Sequence, residues 1–319
     1  MKIYLLHNTD IYTHLATEAY FLHNSSENIV LIWQSHNAVV CGKHQNIAAE
    51  VNYRYCVDNN IHIARRLTGG GTVFHDEGNV CFTFIQNHSG KIENTIDYKR
   101  FLDPVKAFFN ELNIPVHYSP RNDLMIENMK ISGNAQHVFF KEKRILHHGT
   151  LLHSSNLDKL GKAIKPVEGI SHRGVNSVRS QVININKHTE MWASPQLMMQ
   201  DLNKHFVSLG YTASKINETE TQAIEKLTQE KFTRPEWIWD YSPKHQVNRE
   251  FKSYGKNYQL KLEVKNGLIS DVEIYHNQDS IAQDLCTKLA GNWRMERILM
   301  ELKNSIFSED SKDIAYLFF

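Results

Sequence analysis

Cysteine is scarce in this 319-residue chain, and the four present are Cys41, Cys56, Cys81 and Cys286. No two stand within four residues of each other, so neither a zinc knuckle nor a CxxC redox pair can be built locally. Cys41 and Cys81 sit in apolar runs, where a thiol acts as a small hydrophobe. That usage suits a reducing compartment, and a cytoplasmic location is expected. No apolar stretch reaches the ~20 residues that a membrane span needs. The opening residues, MKIYLLHNTDIYTHLATEAYFL, start apolar but are interrupted by His7, Asn8 and Asp10. They show neither a secretory h-region nor an Arg-rich transit pattern. Charge of one sign is also missing: 36 Lys and Arg face 35 Asp and Glu, for a formal net charge of +1. No global field draws the chain onto nucleic acid or an anionic membrane, and neither is expected as a partner. Eighteen histidines raise the question of a metal, but no HExxH occurs, so a zinc hydrolase of that type is excluded.

What remains is a soluble globular composition, 41% apolar and 22% charged, with a mean hydropathy of −0.46. The length suits about two domains. Ile29–Trp33, Ala38–Cys41, His62–Arg65 and Asn79–Gln86 read as strands, as do Leu124–Ile126, Lys130–Ile131 and Ile145–Leu152. Phe101, Val105, Phe108, Phe109 and Leu112 have helical spacing, with Asp103 expected as N-cap and Pro104 in the first turn. Further helices are expected over Leu157–Ile164, Pro195–Leu209 and Thr219–Gln229. The stretch TRPEWIWDYSPKH reads as a connector packed by aromatics. Beyond it, alternating Leu260, Leu262 and Val264, then Asn266-Gly267, then alternating Leu268 to Ile274 predict a hairpin with a type I′ turn. Helices over about 279–290 and 293–305 follow. We therefore expect two domains, residues 1–245 and 246–319, the second a small α+β module.

Three segments could carry chemistry. The first, RRLTGGGTVFHDEGN from Arg65 to Asn79, places three glycines between strands. Bare backbone there lets a loop wrap an anion closely, and Arg66 adds a fork of donors; a plain glycine-rich turn with a surface Arg is the other reading. No Lys-Ser or Lys-Thr follows the glycines and the G-x-G-x-x-G spacing is absent, so a nucleotide would be held in some other way. The second, DLMIENMKISGNAQ from Asp123 to Gln136, sets Lys130 inside an apolar strand pattern. Its ammonium either faces a ligand anion or guards a sheet edge. The third, RILHHGTLLHS, holds His147, His148 and His153. On a strand His147 and His148 face opposite sides, so the run supplies no three ligands on one face. Gly149 points to close approach by a ligand or another backbone.

In the order RRLTGGGTVFHDEGNVCFTF, RNDLMIENMKISGNAQ, HHGTLL and GVNSVRSQVIN, these segments resemble the lipoate–protein ligase A family over most of residues 1–185. The WIWDYSP lead-in and NG hairpin resemble the accessory domain those ligases carry. The resemblance implies an α/β (α+β) fold, a biotin/lipoate ligase-type catalytic domain with a mixed β-sheet plus a small accessory domain. It implies that Lys130 is catalytic and that Arg66, Gly71, Thr72, Val73, Phe74 and Lys130 bind ATP or lipoyl-AMP. Gly69, Gly70, His75, Asn79, Asp123, Gly133, Ala135 and His148 are further candidates. Thr68 stands where Ser is common and keeps the hydroxyl, while Leu67 replaces a frequent Arg.

The implied activity is ATP-dependent activation of lipoate to lipoyl-AMP, then transfer to a lysine of a carrier domain. The alternative in the same fold is a lipoyl or octanoyl transferase that uses a preformed acyl donor. ATP, Mg²⁺ carried on the nucleotide phosphates, and lipoate are the implied ligands, with no dedicated metal site. The implied partners are lipoyl domains of 2-oxoacid dehydrogenase E2 subunits and the glycine cleavage H protein, met by a monomer. The glycine triplet itself is expected to need positive φ at Gly71.

Overall fold

β-Branched and aromatic runs decide the central sheet. A computed structural model of the protein describes residues 1–88, 97–120, 123–178 and 180–319. Arg121, Asn122 and Arg179 of the motifs quoted above lie outside the described residues. Contacts divide the chain into two compact units, one of residues 1–43, 62–161 and 177–234, the other of 44–61, 162–176 and 235–319.

The first unit contains β1 (Lys2–Leu5), β2 (Ile29–Trp33), β3 (Ala38–Cys41), β4 (His62–Arg65), β5 (Val73–His75) and β6 (Asn79–Asn87). It continues with β7 (Val116–Tyr118), β8 (Leu124–Ile126), β9 (Met129–Ser132), β10 (Asn134–Phe139) and β11 (Arg144–Leu152). The main sheet runs β10-β11-β6-β2-β1 and ends on the strand Thr212–Ser214. β1 is parallel to both its neighbours and the other pairs are antiparallel, so the sheet is mixed. Two smaller sheets, β4-β3-β5 and β7-β8-β9, complete the unit.

Strand alternation sorts the main sheet's two faces. Phe82, Phe84 and Ile145 join a core with Phe101, Val105 and Phe109 of helix Tyr98–Glu111 and Met198, Leu202 and Phe206 of helix Pro195–Ser208. His147 shares that face, its ring stacked on Phe101 at 5.0 Å. Thr83 and His148, one residue out of phase, meet Glu18 of helix Ile11–Asn24 on the opposite face. His147 and His148 do point to opposite sides.

The helix at Phe101 begins earlier than its spacing suggested. Asp97 is the N-cap, accepting from the Arg100 N–H at 3.2 Å, and Pro104 lies inside the helix. Asp103 caps nothing and instead accepts from the Tyr118 hydroxyl. The close approach at Gly149 is made by side chains: a Cβ there would collide with the Phe82 ring and the Asn134 side chain.

In the second unit, strands Ile170–His172, His245–Ser253, Lys256–Lys265, Leu268–His276 and Asp279–Ile281 form an antiparallel sheet. Asn266 and Gly267 have φ of 50° and 70°, as a type I′ turn requires. Residues 279–281, expected as helix, pair with the neighbouring strand, and helices follow at Gln283–Leu289 and Met295–Lys303. Leu260, Leu262, Ile274, Leu289, Trp293, Ile298 and Phe318 make the core, which Ala48 from the helix Ile47–Glu50 also enters. Among the described residues no helix is long and apolar enough to cross a membrane.

Burial holds several histidines of the first unit neutral: His147 and His75 are pulled down to about 3 and His14 to about 4. A folded-state value below the ordinary one means that the unfolded chain binds the proton first. These groups therefore cost nothing above pH ~6.5, and stability falls progressively as the pH drops from ~6.5 toward 3. His147→Phe, which keeps the stacked ring, should remove about 2 kcal/mol of the stability lost between pH 7 and pH 5. Urea melts of both proteins at the two pH values check this, and equal acid losses would refute it.

Candidate active site around the glycine loop

The glycine loop joins β4 to β5, which pair with β3 from opposite sides, one parallel and one antiparallel. Residues 66–72 must therefore cross the end of β3, where Gly42 stands. A Cβ on Gly42 would strike the Gly70 carbonyl oxygen, so both chains approach closely because neither carries one. Gly70 has φ of +87°; the left-handed position falls there and not at Gly71.

Arg66 shapes this crossing from beneath. Its guanidinium is buried, 4% exposed, and is spent on the loop. Nη2 donates to the carbonyls of Gly69 at 2.6 Å and Gly71 at 2.7 Å, Nη1 to that of Val40 at 3.0 Å, and Nε to the Thr68 hydroxyl at 3.0 Å. Burial pulls its pKa down to about 10, still far above neutral, so it stays charged. With the carbonyls turned inward to the cation, no hydrogen bond ties the N–H of Gly69, Gly70 or Gly71 to a described residue. The Thr72 N–H donates to Ser177 Oγ at 2.9 Å, which brings the GVNS motif to the loop.

Lys130 stands on β9, whose main chain bonds Gln181 and Val182's neighbour Ile183 on either side. Its ammonium is partly exposed and pairs with Asp123 on the adjacent turn at 3.1 Å. Gly133 lies beneath it: a Cβ there would be 3.4 Å from Lys130 Cε and 3.5 Å from Nζ. Two residues on, Ala135 Cβ lies 3.5 Å from the Cβ position of Gly70. The segment 130–135 thus carries the lysine to the edge of the glycine loop. The main chain at Gly133 is fixed in both directions, since its N–H donates to Thr150 Oγ1 and its carbonyl accepts from the Thr150 N–H.

These positions do not all share one surface. Lys130, Asp123, Gly133, Ala135 and Gly69 to Thr72 come together. Phe74 and Asn79 are buried under the turn that follows, the Asn79 amide donating to the Phe74 carbonyl at 2.8 Å. His75 is also buried, with Nδ1 3.1 Å from Cys81 Sγ and its ring stacked on Trp33. Val73 is half-buried at the start of β5. His148 reaches the loop through Thr68, whose Oγ1 is 2.7 Å from His148 Nε2.

Sequence reasoning missed Glu18, Ser177 and Thr150. Glu18 was signalled indirectly: Asp10 before a run with Ile11, Leu15 and Leu22 reads as a capped amphipathic helix, and a carboxylate on its buried face needs a partner. Ser177 and Thr150 lie inside the quoted GVNSVRSQVIN and HHGTLL segments, but nothing local singles them out, because only tertiary structure brings them to Thr72 and to Gly133. A cation beside a loop of unbonded N–H groups is built to gather negative charge from an oxyanion such as carboxylate or phosphate. Among the described residues no group of three His, Cys, Asp or Glu side chains could hold a metal ion.

The family model of the lipoyl protein ligase A/B catalytic domain matches residues 10–226. Lipoate-protein ligase LplJ of Bacillus subtilis is 31% identical over 82% of this chain and 80% of its own length. Lipoate–protein ligase 1 of Staphylococcus aureus is 32% identical over 84% and 81%. Among solved structures, Plasmodium falciparum LipL1 in complex with lipoate superposes with a TM-score of 0.63 at 23% identity over 99% of both chains. Lipoate-protein ligase A bound with ATP gives 0.63 at 22% identity over 75% of this chain and 98% of the other. The two structural likenesses concern the fold.

Lys130→Met keeps the stem of the side chain and deletes its charge. The variant should fold with a near-normal melting temperature, since the ammonium is partly exposed and, among the described residues, its ion pair is with Asp123. It should bind nucleotide and carboxylate ligands at least tenfold more weakly, the order expected for losing a charged donor at an oxyanion. Calorimetric titration measures both, and unchanged affinity in a folded variant would remove Lys130 from the site.

Proposed function

The chain belongs to the lipoyl protein ligase A/B catalytic-domain family, and from that premise we propose how its site works as a lipoate–protein ligase. The observation that carries the reading is that the Lys130 segment, through Ala135, meets a glycine loop whose Gly69 and Gly71 carbonyls are drawn to a buried Arg66. In the first half-reaction a lipoate carboxylate oxygen attacks the α-phosphorus of ATP and pyrophosphate leaves, giving lipoyl-AMP. Negative charge gathers on the carboxylate and the α-phosphate. Lys130 and the N–H groups of Gly69, Gly70 and Gly71 stand where that charge develops, a preorganised arrangement that needs no rearrangement during the step. In the second, the amine of a carrier lysine attacks the acyl carbonyl, the amide forms, and AMP departs as a good leaving group.

Relatives that align over more than four-fifths of the chain are named ligases, and the transferase alternative is not favoured. A structure of a Thermoplasma acidophilum bi-partite lipoate protein ligase includes its E2 lipoyl domain. For this chain we propose lipoyl domains of 2-oxoacid dehydrogenase E2 subunits and the glycine cleavage H protein as acceptors. Mg²⁺ would enter as the counter-ion of the ATP phosphates, part of the substrate. A cytoplasmic monomer is part of the same proposal. So is the division into a catalytic domain over 1–245 and an accessory domain over 246–319, although in contacts the second unit also takes in 44–61, 162–176 and 235–245.

Incubation with lipoate and Mg-ATP in the absence of acceptor should release pyrophosphate, about one equivalent per enzyme if the adenylate stays bound. Adding a lipoyl domain should then release AMP and increase the domain's mass by one lipoyl group. A protein that never releases pyrophosphate but transfers from supplied lipoyl-adenylate would be a transferase instead.

A further inference from the structure

A chain of buried hydrogen bonds links helix Ile11–Asn24 to the glycine loop. The Trp33 indole N–H donates to Thr83 Oγ1 at 3.0 Å, and Thr83 donates to Glu18 Oε1 at 2.6 Å. His148 Nδ1 is 2.9 Å from the same carboxylate, His148 Nε2 is 2.7 Å from Thr68 Oγ1, and Arg66 Nε donates to that Oγ1 at 3.0 Å. Glu18 and Thr68 are 1% and 0% exposed, so bulk water satisfies neither.

The donor inventory selects the arrangement that satisfies every group. Indole and guanidinium only donate, and a carboxylate only accepts. The arrangement that leaves no group unpaired has Thr68 accept from Arg66 and give its own proton to His148 Nε2, the unprotonated nitrogen. Nδ1 carries the proton and gives it to Glu18. The members are linked in series, and Arg66 Nε is shared between the Thr68 hydroxyl and the Gly69 carbonyl at 3.2 Å. Glu18 sets the His148 tautomer, the tautomer turns the Thr68 hydroxyl, and the hydroxyl holds Nε of Arg66. That leaves both Nη groups for the carbonyls of Val40, Gly69 and Gly71.

We infer that Glu18, His148 and Thr68 are positioning residues for nucleotide binding, a relay that holds Arg66 in the one orientation that turns the glycine-loop carbonyls inward. None of the three need touch the nucleotide. The inference rests on the ligase reading of the loop, and it predicts a fault specific to ATP. With the relay broken, Arg66 keeps its charge and its backbone partners but loses the side-chain bond that fixes Nε, and Gly69 to Thr72 gain conformational freedom. A network that serves only stability would lower the melting point and leave the affinity of the remaining folded protein intact.

Thr68→Val removes the hydroxyl at constant shape, and Thr68→Ser restores it. Glu18→Leu breaks the far end of the relay without touching the loop. Thr68→Val and Glu18→Leu should each raise the KM for ATP about tenfold or more, with the KM for lipoate changed less than about threefold. Thr68→Ser should return the ATP value to within about threefold of wild type. Amide hydrogen exchange should quicken at 69–72 and stay unchanged in β6 and β11. Because both changes break one relay, the double variant should be no worse than the poorer single, where independent effects would multiply. The inference is overturned if ATP KM and loop exchange stay normal while melting temperature falls, if lipoate KM alone rises, or if the two effects multiply. Should Thr68→Val not fold, Glu18→Leu decides alone through the same two readouts. Loop exchange and calorimetric ATP binding also separate this inference from the ligase reading, which fails on its own if wild-type protein binds ATP but releases no pyrophosphate.

Discussion

A guanidinium that cannot reach water must be satisfied by the protein, and that requirement at Arg66 shapes the whole site. A buried cation left unpaired costs several kcal/mol, so the fold brings acceptors to it. The acceptors available are the carbonyls of the loop the arginine itself begins, and drawing them inward fixes the direction of the peptide planes between them. Three consecutive glycines, each losing more backbone freedom on folding than any other residue, would otherwise sample many conformations. The Arg66 fork replaces that freedom with one arrangement. Only Gly70, at φ +87°, and the contact between Gly70 and Gly42 demand glycine sterically on their own account.

The strand pattern explains why two adjacent histidines have unrelated fates. His147 falls on the face that carries Phe82, Phe84 and Phe101, where burial keeps its ring neutral and its neighbours are aromatic. His148, one residue later, meets Glu18 and Thr68 and becomes part of a polar relay. A one-residue slip of β11 against β6 would exchange them, putting a relay nitrogen into the apolar core and leaving Glu18 buried without its partner. Both errors are costly, so the paired histidines help to specify the register of the two long central strands.

Much of this was legible in the sequence, and the exceptions share a cause. The seven strands read from apolar runs are present, as is the Asn266-Gly267 hairpin, because strand alternation and turn chemistry are local properties. The helix start at Asp97 was misplaced because Pro104 looks like a first-turn residue, while tertiary contacts hold it mid-helix, its carbonyl accepting from His205 Nε2 at 3.0 Å. Residues 279–281 read as helix because they precede an amphipathic run; pairing with Leu268–His276 overrides that preference. At the site, Lys130 and the glycine loop announce themselves by being out of place, a charge in an apolar strand and three flexible residues between rigid ones. Glu18 and Ser177 do not, since each becomes functional only through partners 130 and 105 residues away in the chain.

The second unit makes the same point for domain organisation. Its hairpin and helices form a contiguous pattern after residue 246, yet its core also takes in Ala48, with Tyr53 and Ile170 packed against it. Strand Ile170–His172 extends the sheet by pairing with His245–Ser253. A sheet edge presents unpaired N–H and C=O groups, and covering it with a strand from a distant part of the chain satisfies them without lengthening the module. The segment that does so, 162–176, lies about seventy residues before its partner strand in the chain. No composition shift or linker marks residues 170–172 as part of the second unit; only their pairing with Val247, Gln246 and His245 does.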